Sequence, residues 1–163
     1  MRRPIVALLV VIAGAALALP AAGQDAGFSE DEEAIRSVVQ HLFDGMRAGD
    51  SAAVRSTLDD SARLVSTGTR DGEPVMHSGS IDSFVEAVGQ PHDEVWDERL
   101  WDIEIRIDDA LATVWTQYAF YVGPKLSHCG VDAFQLFKSA DGWKILQIAD
   151  TRRTEGCEIP EDE

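Results

Sequence analysis

Positive charge is what this sequence has least of. Fourteen lysines and arginines face 29 aspartates and glutamates, for a formal net charge of −15. Binding along a phosphate backbone needs the opposite sign, so nucleic acid is not an expected partner, and anionic lipid surfaces are disfavoured for the same reason. The plain consequence of such a surface is solubility. Cysteine is also scarce: only Cys129 and Cys157 are present. The closely spaced Cys or His pairs that announce a zinc site are missing. His128, Cys129 and Asp132, with His77 as a fourth, are spaced too loosely to read as metal ligands, and no metal is expected. There is no phosphate-cradling glycine loop, no nucleophile elbow, no Ser-His-Asp order and no zinc-protease helix. The familiar enzyme classes lose support, and no cofactor is expected.

Long apolar runs occur in one place. Ile5 to Leu19 is apolar apart from Gly14, follows the charged pair Arg2-Arg3 and leads into Ala21-Ala22-Gly23. The run is too short to span a bilayer comfortably and ends in small residues, so residues 1–23 predict a removable export signal. The mature chain is then secreted or periplasmic with no membrane attachment. Its remainder has the size of one domain, residues 24–157, with a frayed acidic tail at 158–163.

Along that domain, Ser29 and Glu32 have the spacing of a capping box, and Ile35, Val38, Val39, Leu42, Phe43 and Met46 recur at helical steps. Gly49 stops this helix, and Asp50 caps a short second one through Val54 to Leu58. Ala62 to Ser66 reads as a short strand, and "TGTRDGEP" reads as a loop by its glycines and proline. Ser80 caps a third helix with Ile81, Phe84, Val85 and Val88 inward. Beyond it, Trp101, Ile103, Ile105 and Ile107 alternate with polar residues, and "LATVWTQYAFYV" is apolar on both faces, as a central strand would be. "GVDAFQLFK" and "WKILQIADTRR" then flank a hairpin turn at 139–142. Helices first and antiparallel strands after predict an α+β fold: a cone-shaped, curved antiparallel sheet packed on N-terminal helices, its open end a natural cavity.

The last hairpin brings the chemistry-bearing residues together. A three-residue loop with Gly142 in the left-handed region sets residue 139 opposite 143 and Asp132 opposite Asp150, with Phe134, Leu136, Leu146 and Ile148 on one face. Two carboxylates across a ladder repel, so one should hold its proton unless a cation intervenes; Arg152 is such a cation. Asp132, Asp150 and His128 are therefore the acid–base candidates. Cys129 begins one hairpin strand and Cys157 follows the other, so a disulfide is expected, with Gly156 letting the chain curl back. Trp101, Trp115, Tyr118, Phe120 and Tyr121 form either ordinary core or one wall of a pocket for a ring-bearing ligand.

"IRSVVQHLFDGMRAGDSAAVRSTLDDSARLVS", "HSGSIDSFVEAV" and "DAFQLFKSADGWKILQIADTR" together resemble the nuclear transport factor 2-like superfamily, which holds ketosteroid isomerases, SnoaL-type cyclases and uncharacterised secreted bacterial proteins. The resemblance implies the cone-shaped, cystatin-like fold, with Leu42, Tyr118, Phe120 and Phe134 around its cavity. It implies isomerase chemistry poorly. The isomerase tyrosine position looks like Leu42 and the base position like Ser66; only the later carboxyl has a match, at Asp132. Leucine cannot polarise an enolate and serine is not a base unaided. The first expectation is therefore a protein that binds a small, largely apolar or ring-bearing molecule without catalysis. The second is a cyclase, isomerase or dehydratase using Asp132, and the third a homodimeric interaction module.

Overall fold

Local signals at the N-terminus act as their residue types require. The structure, a computed structural model, describes residues 29–161; the expected export signal and the last two residues of the acidic tail lie outside it. Helix α1 spans Glu30–Ala48 and opens with the full capping box: Ser29 Oγ accepts from Glu32 N at 3.2 Å, and Glu32 Oε2 accepts from Ser29 N at 2.8 Å. Gly49 closes it in the left-handed conformation at φ 67°. Asp50 then caps α2 (Ser51–Thr57), its Oδ1 accepting from Ala52 and Ala53 N at 3.0 and 2.9 Å. The two helices cross at Gly45, where a Cβ would come within 3.1 Å of Ala53 and Val54.

Six strands follow: β1 (Leu58–Arg70), β2 (Glu73–Gly79), β3 (Trp96–Asp108), β4 (Leu111–Val122), β5 (Lys125–Ser139) and β6 (Gly142–Thr151), with α3 (Ile81–Gly89) between β2 and β3. They form one curved, open sheet in the order β2-β1-β6-β5-β4-β3. Every pairing is antiparallel except β1 with β6, so the sheet is mixed rather than wholly antiparallel. The helices cover its inner face. Ile35, Val39, Leu42 and Phe43 of α1 join Val114, Phe134, Leu136, Ile145 and Ile148 in one core, each buried side chain stabilising the fold by roughly 1.5–3 kcal/mol.

The structure corrects the expected element map in three places. "TGTRDGEP" is a hairpin rather than a loop: Thr67 to Arg70 end β1, Glu73 begins β2, and Asp71-Gly72 is a two-residue turn with φ of 53° and 83°. Such a turn needs positive φ at both positions, which Asp-Gly supplies, and Pro74 is tolerated because β2 is an edge strand. In β3 a bulge at Asp102, φ 52°, separates two faces of opposite parity. Trp96 and Leu100 precede it and Ile103, Ile105 and Ile107 follow it on the core side, so Trp101 does not continue the isoleucine face as the alternation suggested. The β5–β6 loop has two residues, with Ser139 opposite Gly142, and a bulge between Gln135 and Leu136 restores the expected pairing of Phe134 with Ile148. Leu146 is the extra residue there, and Ile145 takes its place in the core.

Cys129 and Cys157 are bonded, with an S–S distance of 2.10 Å and Cα atoms 5.8 Å apart. Cys129 and Arg153 exchange backbone hydrogen bonds of 3.0 Å each, and Gly156, at φ 66°, turns the chain back to reach the thiol.

Candidate functional site

Residues paired across strands present their side chains to one face. One rung of this sheet therefore gathers Thr116, Asp132, Asp150, Ser66 and His77, from β4, β5, β6, β1 and β2 in turn. Asp132 and Asp150 are paired directly and are 3 % and 7 % exposed. Carboxylates this close and this dry repel unless a cation or proton intervenes. At Asp150 the cation is Arg152, whose Nη2 and Nε donate to Oδ2 at 2.9 and 3.2 Å.

Asp132 has no such partner. Its Oδ2 is buried and receives no N–H or hydroxyl from the described residues. The hydroxyls nearby are committed elsewhere: Tyr118 donates to Thr151 O at 2.9 Å, and Thr116 Oγ1 lies 2.8 Å from Trp101 O and 3.0 Å from Gln117 O. What meets Asp132 is another acid, Glu98, whose carboxyl comes within hydrogen-bonding reach. Two carboxyls can bond only if one keeps a proton. Burial first, and then the charges of Asp132 and Asp150, hold Glu98 well above the usual carboxylate range. Burial also dominates at Asp132 and Asp150 adds to it, while the Glu98 hydrogen bond and Arg152 pull the other way; the carboxyl is pushed up to about 7. Among the described residues no group of three or more His, Cys, Asp or Glu side chains is arranged to hold a metal ion.

Gly130 makes room for this arrangement. It sits opposite Tyr118 on β5, where a Cβ would fall 1.8 Å from Thr151 O and 2.8 Å from Tyr118 Cε1. Only a bare backbone lets Tyr118 reach the end of β6. Its hydroxyl is held well above its usual range by burial and by the three acids.

His128 stands apart from the acids. It is partly buried, 3.0 Å from Ser127 Oγ through Nδ1, with its ring against Tyr118 and Phe120 at 5.7 and 5.1 Å. Burial and then the charge of Arg152 lower its pKa, which favours the neutral ring. No hydrogen bond joins it to Asp132 or Asp150. Of the residues expected to line a cavity, Leu42 and Phe134 belong to the sealed core, Tyr118 is equally buried, and Phe120 is partly buried against the core.

The large open concavity lies at the other end of the rung. A cleft of about 970 Å³ runs between the β1–β2 hairpin and the start of α3, with Ser66, His77 and Arg152 beside Leu64, Val75 and Phe84. A second, of about 710 Å³, lies on the far side of Arg152 and includes His128 and Arg153. None of Leu42, Tyr118, Phe120 and Phe134 lines either one. Sequence reasoning missed Glu98, because alternation read back from Trp101 without a bulge puts Glu98 on the solvent face. It missed the cleft because it missed the hairpin; the Asp71-Gly72 pair was the available signal.

The sheet order and the inner helices are those of the cystatin-like, nuclear transport factor 2-like fold. Solved structures with this fold align with most of the chain. An NTF2-like protein from Novosphingobium aromaticivorans aligns at a TM-score of 0.63 with 12 % identity, covering 78 % of this chain and 84 % of its own. A cystatin-like protein of unknown function from Nostoc punctiforme aligns at 0.61 with 10 % identity, covering 78 % and 95 %. An NTF2-like protein from Streptomyces avermitilis, described as a "putative dehydratase", aligns at 0.55 with 16 % identity, covering 76 % and 97 %. Identities this low speak for the fold alone. Residues 30–149 match the model of the family described as "Putative lumazine-binding", and the chain belongs to that family. No curated protein matches it.

Proposed function

We propose that this is an exported single-domain protein, residues 24–157, that holds a small ring-bearing molecule in the cleft between the β1–β2 hairpin and α3 without turning it over. The observation that carries this reading is the cleft itself. Its volume falls in the range of small-molecule sites, about 300–1,000 Å³, and its mostly polar lining includes the apolar side chains of Leu64, Val75, Met76 and Phe84. A ligand there meets both kinds of surface. The family description points to a flat heteroaromatic of the lumazine type, for which Phe84 and Met76 offer apolar contact. The bonded cysteines support an oxidising compartment, and among the described residues no helix is long and apolar enough to cross a membrane.

Two measurements test the reading. Native mass spectrometry of protein purified from its own host should show a retained small molecule, and calorimetric titration with lumazine should saturate in wild type and weaken in Ser83→Trp, which fills the cleft. Protein that carries no ligand and gives no saturable heat with lumazine would refute it.

A second reading is supported by Asp132, whose buried Oδ2 lacks any donor other than a carboxyl proton. A Glu98–Asp132 acid pair suits proton transfer in a cyclase, isomerase or dehydratase. It requires turnover of a ring ketone or hydroxylated polyketide that disappears in Asp132→Asn; a broad panel without turnover removes it. A homodimer is supported by the outer sheet face, where Leu111, Trp115 and Phe137 are about half exposed side by side, and monomer alone in sedimentation at micromolar concentration would dismiss it.

A further inference from the structure

The cleft inverts the composition of the chain. Acids outnumber bases 29 to 14 overall, yet none of the residues lining the cleft is Asp or Glu, and two are arginines, Arg70 and Arg152. The two cations differ in how they are held. Arg152 is fixed at both ends: its backbone N–H donates to Thr67 O at 3.0 Å, and Asp150 accepts from its Nε and Nη2. That grip orients the guanidinium and leaves the Nη1 hydrogens uncommitted. Arg70 is the last residue of β1, exposed, and makes no ion pair with any described residue. Among the other described arginines, Arg47 pairs with Asp44 and Asp97, Arg55 with Asp82, Arg99 with Asp97, and Arg106 with Glu104, while Arg63 and Arg153, like Arg70, make no ion pair with a described residue. What sets Arg70 apart is its place: it shares a cleft that has no acid with a second guanidinium, Arg152, so its charge is left for a ligand to meet. The wall opposite adds hydroxyl donors from Ser80 and Ser83.

We propose that the ligand of this cleft is anionic: a ring-bearing molecule whose carboxylate or phosphate is received by Arg70 and Arg152, with its ring against Val75, Met76 and Phe84. This rests on the cleft being the binding site and adds the chemical class of the ligand. Guanidinium groups suit such anions because their N–H pairs match two acceptor oxygens at once. The net charge of the protein opposes the approach of an anion, but at physiological ionic strength charges beyond about 8 Å are largely screened. Contact with the two arginines therefore decides the outcome. Asp150 offsets part of the charge of Arg152, so Arg70 carries the larger share of the selectivity.

The test is calorimetric titration with lumazine and with a lumazine bearing a ring carboxylate, at low and at physiological salt. Wild type, Arg70→Gln and the control Arg106→Gln are compared; Arg70 is exposed and Arg106 is 84 % exposed on the outer face, so both variants should fold. The carboxylated compound should bind wild type about tenfold more tightly than the neutral one, a gap worth one charge-assisted hydrogen bond. Added salt should narrow that gap, Arg70→Gln should remove most of it, and Arg106→Gln should leave it intact. Saturable binding of both compounds with equal affinity would overturn the anionic class and leave the cleft as the binding site, and so would a preference that survives Arg70→Gln. Failure of both compounds to bind overturns both.

Discussion

The two ends of one sheet rung meet opposite demands. Toward β5, Asp132 and Asp150 are buried with the partly buried Glu98 beside them; toward β2, Ser66 and His77 open onto a cleft that has arginines and no acid. Where water is excluded, each acid needs an answering charge or a proton, and the structure supplies Arg152 to one and carboxyl sharing to the other two. Where water enters, the charges can be left unanswered for a ligand to meet. Arg152 belongs to both regions: its grip on Asp150 settles the interior, and it also lines the cleft.

Substitutions at two glycines contrast these ends most sharply. Gly130→Ala drives a Cβ into the Thr151 carbonyl and the Tyr118 ring, so denaturant unfolding should show a loss of about 3 kcal/mol or more. Gly72→Ala, in the exposed turn beside the cleft, meets nothing within 4 Å and pays only for its φ of 83°, about 1 kcal/mol. Equal losses at the two positions would contradict the contrast. Next in size is the disulfide. Replacing Cys129 and Cys157 together by serine should cost about 3 kcal/mol, the loop-closure value for a 28-residue separation, and reductant should lower the melting temperature of wild type but not of the variant.

The arginines divide in the same way. Arg152→Ala leaves the buried Asp150 without its partner and should destabilise by about 2 kcal/mol, below the usual cost for a buried pair because Arg152 itself is half exposed. Arg70→Ala should change stability by less than about 0.5 kcal/mol. The acid pair gives the last comparison, read from stability against pH. Folding raises the pKa of both Glu98 and Asp132, so the native state binds protons more tightly than the unfolded chain. That contribution is complete below about pH 4, the ordinary carboxylate value, and is lost as pH rises toward the Asp132 value of about 7. Asp132→Asn should therefore gain on wild type across this window, by at most about 1.4 kcal/mol per pH unit. Parallel pH profiles for the two proteins would refute the shared proton.

Features governed by short-range chemistry were legible in the sequence. The capping box at Ser29, the Gly49-Asp50 break, the Ser80 cap and the meeting of Asp132 with Asp150 all follow from residue types at fixed spacings. The last was reached through two offsetting errors: the hairpin loop is one residue shorter than expected, and Leu146 bulges out to compensate. What stayed hidden depended on irregularity in the sheet. The bulge at Asp102 turns Glu98 inward, and nothing in an alternating pattern marks where the alternation slips. The cleft depends on the β1–β2 hairpin, where Gly68 and Pro74 imitate a loop and outweighed the turn signal of Asp71-Gly72. The disulfide was legible because two cysteines leave only one possible pairing.

The most direct measurement is a backbone and side-chain NMR titration of the protein with lumazine, mapping which resonances move. Shifts should concentrate on Ser66, Arg70, His77, Ser83, Phe84 and the Arg152 side chain, while Leu42, Tyr118 and Phe134 stay still. Saturable shifts centred on Leu42, Phe120 and His128, with the hairpin unmoved, would place the ligand inside the cone and contradict the division between a buried acidic interior and an open binding cleft.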